Sequence, residues 1–308
     1  MNIETVPFQN WNNSLRLTNE SIELIVTTDV GPRILSCRSH DRENVLKVFE
    51  NELGGQNESE WRIRGGHRLW LAPEDEVLSY HVDNEPVSFR TDEATGEVVI
   101  DSILASPQRL RKTIGIQLAE NSPRVTLRHV VTNESENPIT VSAWALTVLA
   151  PGGLQIIPQP PLGEHPRDLQ PNRGMVIWPY TDLSDARLTF GRQFWMLRQA
   201  EDYPPIKFGL AHRENWIAYV LADSVFIKTF PYQDGVEYPD GGCNFETFSN
   251  GEMIEIESLS PLTHLAPGES VTHSEDWYVF PLVEEMQIES EEALASWIEG
   301  FIAQTHLK

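Results

Sequence analysis

The chain has 308 residues, 40% hydrophobic and 22% charged, a globular composition that excludes wholesale disorder. Its 23 basic and 46 acidic residues give a formal charge of −23, which argues against sequence-independent binding to nucleic acid or anionic lipid and leaves small molecules as the partners to expect. Two cysteines, Cys37 and Cys243, are too few for a disulfide framework, and no C-x-x-C metal signature occurs.

In chain order, the first twenty residues lack the basic start and apolar run of a secretory signal. The most apolar stretch, 141–150, is half the ~20 residues a membrane helix needs. Together these predict a soluble, cytoplasmic protein. Short alternating or β-branched runs at 21–28, 33–38, 45–49, 97–102, 111–118, 124–132 and 140–149 read as strands, followed by 174–178, 208–211, 216–221, 225–230, 253–259 and 270–280. Polar turns at 133–138 and 266–269 read as hairpin connections between their neighbours. At the end, Leu294, Trp297, Ile298, Phe301 and Ile302 recur at helical spacing behind the N-cap Ser290. The chain therefore reads as one all-β domain over 1–308, a large antiparallel sandwich with an amphipathic helix at 288–304 packed on it. More than a dozen strands require two sheets, since one open sheet seldom exceeds ~10.

Three stretches carry chemistry. In 61–74, WRIRGGHRLWLAPE, two glycines let the backbone bend and present His67 and Arg68, with Trp61 and Trp70 as flat faces for a sugar ring. The same residues could equally be a structural histidine among core tryptophans. The loop 232–247 concentrates Asp234, Glu237, Asp240, Asn244 and Glu246, oxygens suited to sugar hydroxyls or to a Ca²⁺ ion, although EF-hand spacing is absent and a solvated loop is the plain alternative. In 253–261, strand alternation puts Glu255 and Glu257 on one face, about 7 Å apart; in an open sheet that face is simply wet, and in a concave cleft mutual repulsion and partial burial would raise one toward a general base. No nucleophile elbow, Walker loop or dinucleotide fingerprint is present.

The ending IEIESLSPLTHLAPGESVTHSEDWYVF (254–280) resembles that of the galactose mutarotase-like superfamily, whose fold is a β-supersandwich. By that resemblance Glu257 takes the place of the base at the anomeric hydroxyl. The Trp-x-Ile-Arg-Gly-Gly segment (61–66) is similar to the hexose-phosphate branch. GGHRLWLAPE, PGGLQIIPQPP, WPYTD and YPDGGCNFE resemble a bacterial family of unknown function within the superfamily. One position departs: Trp144 stands where aldose epimerases carry their acid histidine, which turns the acid role toward His67.

The resemblance implies an aldose 1-epimerase-like enzyme acting by acid/base chemistry on a sugar or sugar phosphate, with no cofactor and no metal. Glu257 and His67 are its expected catalytic pair, and Arg68, Trp70, Glu255, Trp144, Asp240 and Glu246 its expected binding residues. The four residues His67, Arg68, Glu255 and Glu257 are expected on one concave face. Two alternatives stand beside this reading: a carbohydrate-binding protein without turnover, and a polysaccharide lyase using Arg68 and Tyr238.

Overall fold

The computed structural model describes residues 1–102 and 109–307. Its strands form two large antiparallel sheets. The first runs, edge to edge, Asn2–Phe8, Trp11–Thr18, Ile22–Thr27, Arg33–Ser39, His67–Ala72, Ile139–Leu149, Ile254–Leu259, Phe245–Ser249, Ile206–Leu210 and Met175–Ile177, with Thr263–Leu265 pairing beside Ile139–Leu149. The second runs Leu188–Phe190, Phe194–Arg198, Leu154–Pro158, Trp216–Val220, Ser224–Thr229, Ser270–Pro281, Arg124–Asn133, Leu110–Leu118, Val98–Asp101 and Ser88–Thr91. Alternation turns one face of each inward, so Leu69, Leu71, Ile254 and Ile256 of the first sheet join Ile114, Leu127 and Trp277 of the second in one apolar layer.

The helix spans Glu291–Ile302, within the expected 288–304 and holding every residue of the apolar repeat. It starts where the Ser290 hydroxyl accepts the Ala293 N–H at 3.1 Å. Leu294 and Ile298 bury against Ile156, Phe194 and Tyr278 on the outer side of the second sheet. Glu291 does more than suit the helix dipole, because its carboxylate accepts the backbone N–H groups of Arg192, Gln193 and Phe194 and ties the helix to that sheet's edge.

Both polar turns differ from the hairpin expectation. The 133–138 turn carries the chain from Arg124–Asn133 in the second sheet to Ile139–Leu149 in the first, and the 266–269 turn leads from Thr263–Leu265 across to Ser270–Pro281. A short polar turn fits a sheet-to-sheet corner as well as a hairpin. The run 45–49 makes only isolated bridges, Leu46 to Leu149 and Val48 to Gly65.

Gly65 and Gly66 do bend the backbone before the strand His67–Ala72, with φ of +79° and +71°. Gly66 donates to the Lys47 carbonyl at 2.7 Å and accepts from Val148 N–H at 3.0 Å, and a Cβ there would lie 2.2 Å from the Ile34 carbonyl oxygen. Gly66→Ala is therefore expected to cost at least the 1–3 kcal/mol, roughly, of a strained backbone site. The urea unfolding midpoint measures it, and an unchanged midpoint would show that the strand start relaxes around the added methyl.

Candidate functional site

Five adjacent strands of the first sheet build a cleft on its outer face. Cross-strand register places Arg68, Leu146, Glu257, Glu246 and Gly209 in one row. Two residues along, Val148, Glu255, Phe248 and Lys207 form the next row on the same face, and Trp70 pairs with Trp144 on the other side. Gly209 matters because a Cβ there would come within 3.1 Å of Glu246 Cγ and 2.5 Å of Cys243 Sγ. The missing side chain leaves that space to Glu246 and Cys243.

The cleft holds about 310 Å³, within the range of small-molecule sites. Aromatic rings wall one side: Trp61, Trp70 and Tyr80 meet edge to face at 4.9–5.4 Å, and Trp70 meets Trp144 at 5.5 Å. The Arg68 guanidinium lies 4.5 Å over the Trp70 ring and donates to Glu255 Oε1 at 3.0 Å. Opposite, the Lys207 ammonium sits between the rings of Trp144 and Trp178, 4.6 and 4.7 Å from their centroids. Glu74, Tyr180 and Asn250 complete the rim.

Glu257 and Glu246 lie directly beneath this floor, both fully buried and neither lining the cleft. Trp144 Nε1 and Lys207 Nζ donate to Glu257 Oε2 at 2.9 and 3.3 Å, while Lys207 Nζ stands 2.9 Å from Glu246 Oε2. Burial raises the Glu257 carboxyl against the pull of Lys207, and Glu255 adds to the rise. Glu246 is raised well above the carboxylate range by burial, with Lys207 opposing and Glu257 and Asp240 adding. Burial opposes the charge on Lys207, but Glu257 and Glu246 outweigh it and hold the ammonium form. Several buried atoms here have no hydrogen-bond or ion-pair partner: Glu257 Oε1, Glu246 Oε1, Arg68 Nε and Nη1, and Trp61 Nε1. Orphaned buried polar atoms are costly, and those of Arg68 and Trp61 border the cleft itself.

The expected residues divide. Arg68, Trp70, Trp144 and Glu255 line the cleft, with Glu246 and Glu257 under it. Asp240 is not among the lining residues, although its charge reaches Glu246. His67 does not join them. It neighbours Arg68 on one strand, so alternation points it to the opposite face, between the sheets, where it pairs in register with Thr147. Tyr238 stacks on Tyr232, takes the Gln233 N–H on its hydroxyl and does not line the cleft. Lys207 was not anticipated. A lone lysine in the apolar strand IKFGL, on the alternate position that faces outward, was the available signal.

His67 belongs to a buried polar network. The donor atoms of His67, His129 and Glu275 lie within 4.8 Å of one another, the one such group among the described residues. Every partner is nevertheless accounted for by protons. His129 Nδ1 faces the His273 carbonyl at 3.2 Å and must donate, so its Nε2 accepts from His67 Nε2 at 2.7 Å. His67 Nδ1 then accepts from the Thr147 hydroxyl at 3.0 Å, which itself accepts from Lys228 Nζ. Glu275 accepts from Trp277 Nε1 at 2.7 Å and Ser258 Oγ at 2.6 Å and pairs with Lys228 at 2.9 Å. Lys228 supplies the positive charge that a metal would, so this cluster reads as structural. The acidic loop around 232–247 gathers no such group, and Asp234 pairs with Arg213.

No protein-family model matches the chain, and no curated protein does. Solved structures share its fold. A TPR-domain-containing protein from Parabacteroides distasonis superposes with a TM-score of 0.59 at 15% identity over 90% of this chain, and this chain spans about half (48%) of that protein. A candidate aldose 1-epimerase from Klebsiella pneumoniae gives 0.59 at 14% identity, covering 99% of this chain and 88% of its own. A galactose mutarotase-like protein from Lactobacillus casei gives 0.56 at 11% identity, covering 87% and 100%. The fold is the galactose mutarotase-like supersandwich, as the C-terminal resemblance implies. Among the described residues no helix is long and apolar enough to cross a membrane.

Proposed function

We propose that the cleft binds a sugar and that Glu257 is the base for proton transfer at its anomeric hydroxyl, the chemistry of mutarotation. The carrying observation is the group of unpartnered buried polar atoms beside aromatic faces. Sugar hydroxyls supply donors and acceptors in several directions, and sugar rings present flat C–H faces to indole. A carboxyl raised toward neutrality but held beside an ammonium accepts a proton better than one at its ordinary value. Freshly dissolved aldoses should lose optical rotation faster with the protein present. Glu257→Gln, which keeps size and hydrogen bonding, should slow that by about 10²–10⁴-fold.

A second reading, binding without turnover, is favoured by Trp144 and Lys207, which stand between Glu257 and the cleft. It predicts a rise in melting temperature with sugar and no rotation change. At a ligand concentration 100 times Kd the stabilisation is about 2.7 kcal/mol. Trp70→Ala should reduce that shift more than Glu257→Gln does. If no neutral or phosphorylated hexose moves either signal, both readings fail.

A further inference from the structure

With His67 on the far side of the sheet, the cleft lacks the proton donor that the proposed reaction needs at the ring oxygen. Lys207 is the cationic donor at the floor, and two carboxyl groups flank it from beneath. Glu246 and Glu257 are direct cross-strand partners, both fully buried, and one Nζ stands 2.9 Å from one and 3.3 Å from the other. Around the trio, Arg68 is already neutralised by Glu255, while Asp240, Glu74 and the Tyr180 hydroxyl add no positive charge. Two ionised carboxylates and one ammonium would leave a net negative charge in a dry site with two oxygens unpartnered. Two buried carboxyls bridged by one ammonium balance its charge when one of the two is protonated.

We propose that Glu246 and Glu257 hold one proton between them and that Lys207 delivers it to the ligand in the cleft. The inference rests on the sugar reading above and deepens it. In the forward step the Lys207 ammonium protonates the ring oxygen as the C1–O5 bond breaks. The anomeric O–H becomes the C1 carbonyl, and its proton passes through one intervening water to the Glu257 carboxylate beneath the floor. Glu246, starting protonated, returns a proton to the Lys207 amine. The shared proton has then moved from Glu246 to Glu257 and the site charge has not changed. After the aldehyde rotates, the same moves run backward. Burial that would oppose creating charge therefore does not oppose this reaction.

The test is infrared spectroscopy of the whole chain at pH 7 in light and heavy water, beside optical rotation with D-glucose and D-galactose. The wild type should show a deuteration-sensitive carbonyl band of a protonated carboxyl that is lost in both Glu246→Gln and Glu257→Gln. In Lys207→Gln, with the ammonium gone, the band should roughly double. Absence of the band in the wild type, or its persistence in both glutamate variants, overturns the shared proton. Lys207→Gln should also slow rotation by at least 10²-fold while changing the glucose Kd less than tenfold; unaltered rotation overturns the donor role. If the wild type binds sugar but accelerates no rotation, the donor role and the mutarotation reading fail together, and the infrared result still decides the shared proton.

Discussion

Replacing Lys228 with Met is expected to cost about 3–5 kcal/mol of stability, the range for removing one partner of a buried ion pair. Lys228 comes from the second sheet, is fully buried, and reaches across to donate to the carbonyls of Ala145 at 3.0 Å and Ile256 at 3.2 Å in the first. It ties two central strands of one sheet to the other while balancing Glu275, whose carboxyl burial would raise but which Lys228, foremost among its neighbours, holds well below the usual range. Methionine fills the same volume, so packing is largely kept and the loss is electrostatic. Without the ammonium, Glu275 retains two neutral donors, Trp277 and Ser258, and an uncompensated charge. The double variant Lys228→Met/Glu275→Gln should recover much of the loss, because glutamine leaves no charge to compensate. Urea unfolding of the single and double variants measures both. A single-variant loss under about 1 kcal/mol would mean that Glu275 simply takes up a proton at little cost.

The two polar clusters, one under the cleft and one between the sheets, come from a single rule applied to opposite faces. Period-two alternation made the shared face of Glu255 and Glu257 readable in the sequence. The same rule forbids adjacent His67 and Arg68 from sharing a face, so their joint placement in the cleft conflicted with the alternation itself. Which of the pair faces inward was not readable locally, because it depends on His129, Glu275 and Lys228 arriving from the other sheet. Lys207 in IKFGL and Lys228 in VFIKTF are lone charges in apolar strands, a signal visible in the sequence, but their partners are remote in it. The edge hairpin of Asn2–Phe8 and Trp11–Thr18 escaped for another reason. Its outermost strand is mostly exposed and reads NIETVPF, with no apolar repeat strong enough to mark it. The C-terminal helix was readable because it keeps its own period and its own cap.

Acidification should unfold the protein well before the carboxylates as a group are neutralised. Burial holds four histidines neutral: His67 well below its ordinary value, His129 below it, His212 at about 4 and His273 at about 3. His273 Nε2 is held by the Ser258 hydroxyl at 2.7 Å and His212 Nε2 by the Trp216 carbonyl at 3.0 Å. In the unfolded chain each takes a proton near pH 6.5, so below that pH the unfolded state binds more protons and stability falls as pH falls. From pH 6.5 to 4.5 each such histidine costs two pH units at about 1.36 kcal/mol, or roughly 2.7 kcal/mol, so His212 and His273 together cost roughly 5 kcal/mol. That is a large share of the 5–15 kcal/mol typical of a folded domain. Glu246 and Glu257 act in the opposite sense, since carboxyls raised in the fold take protons there first and favour the folded state as pH drops. Glu275, depressed in the fold, turns destabilising only below its unfolded value near 4.5. Two raised carboxyls stand against five depressed histidines, since burial lowers His81 as well, and leave a net loss beginning near pH 6.5. Urea midpoints at pH 7 and pH 5 test the balance, and His273→Gln, which still offers Ser258 a donor, should make the slope shallower. A midpoint that stays flat across this interval would mean that several of the buried histidines already carry their protons in the fold.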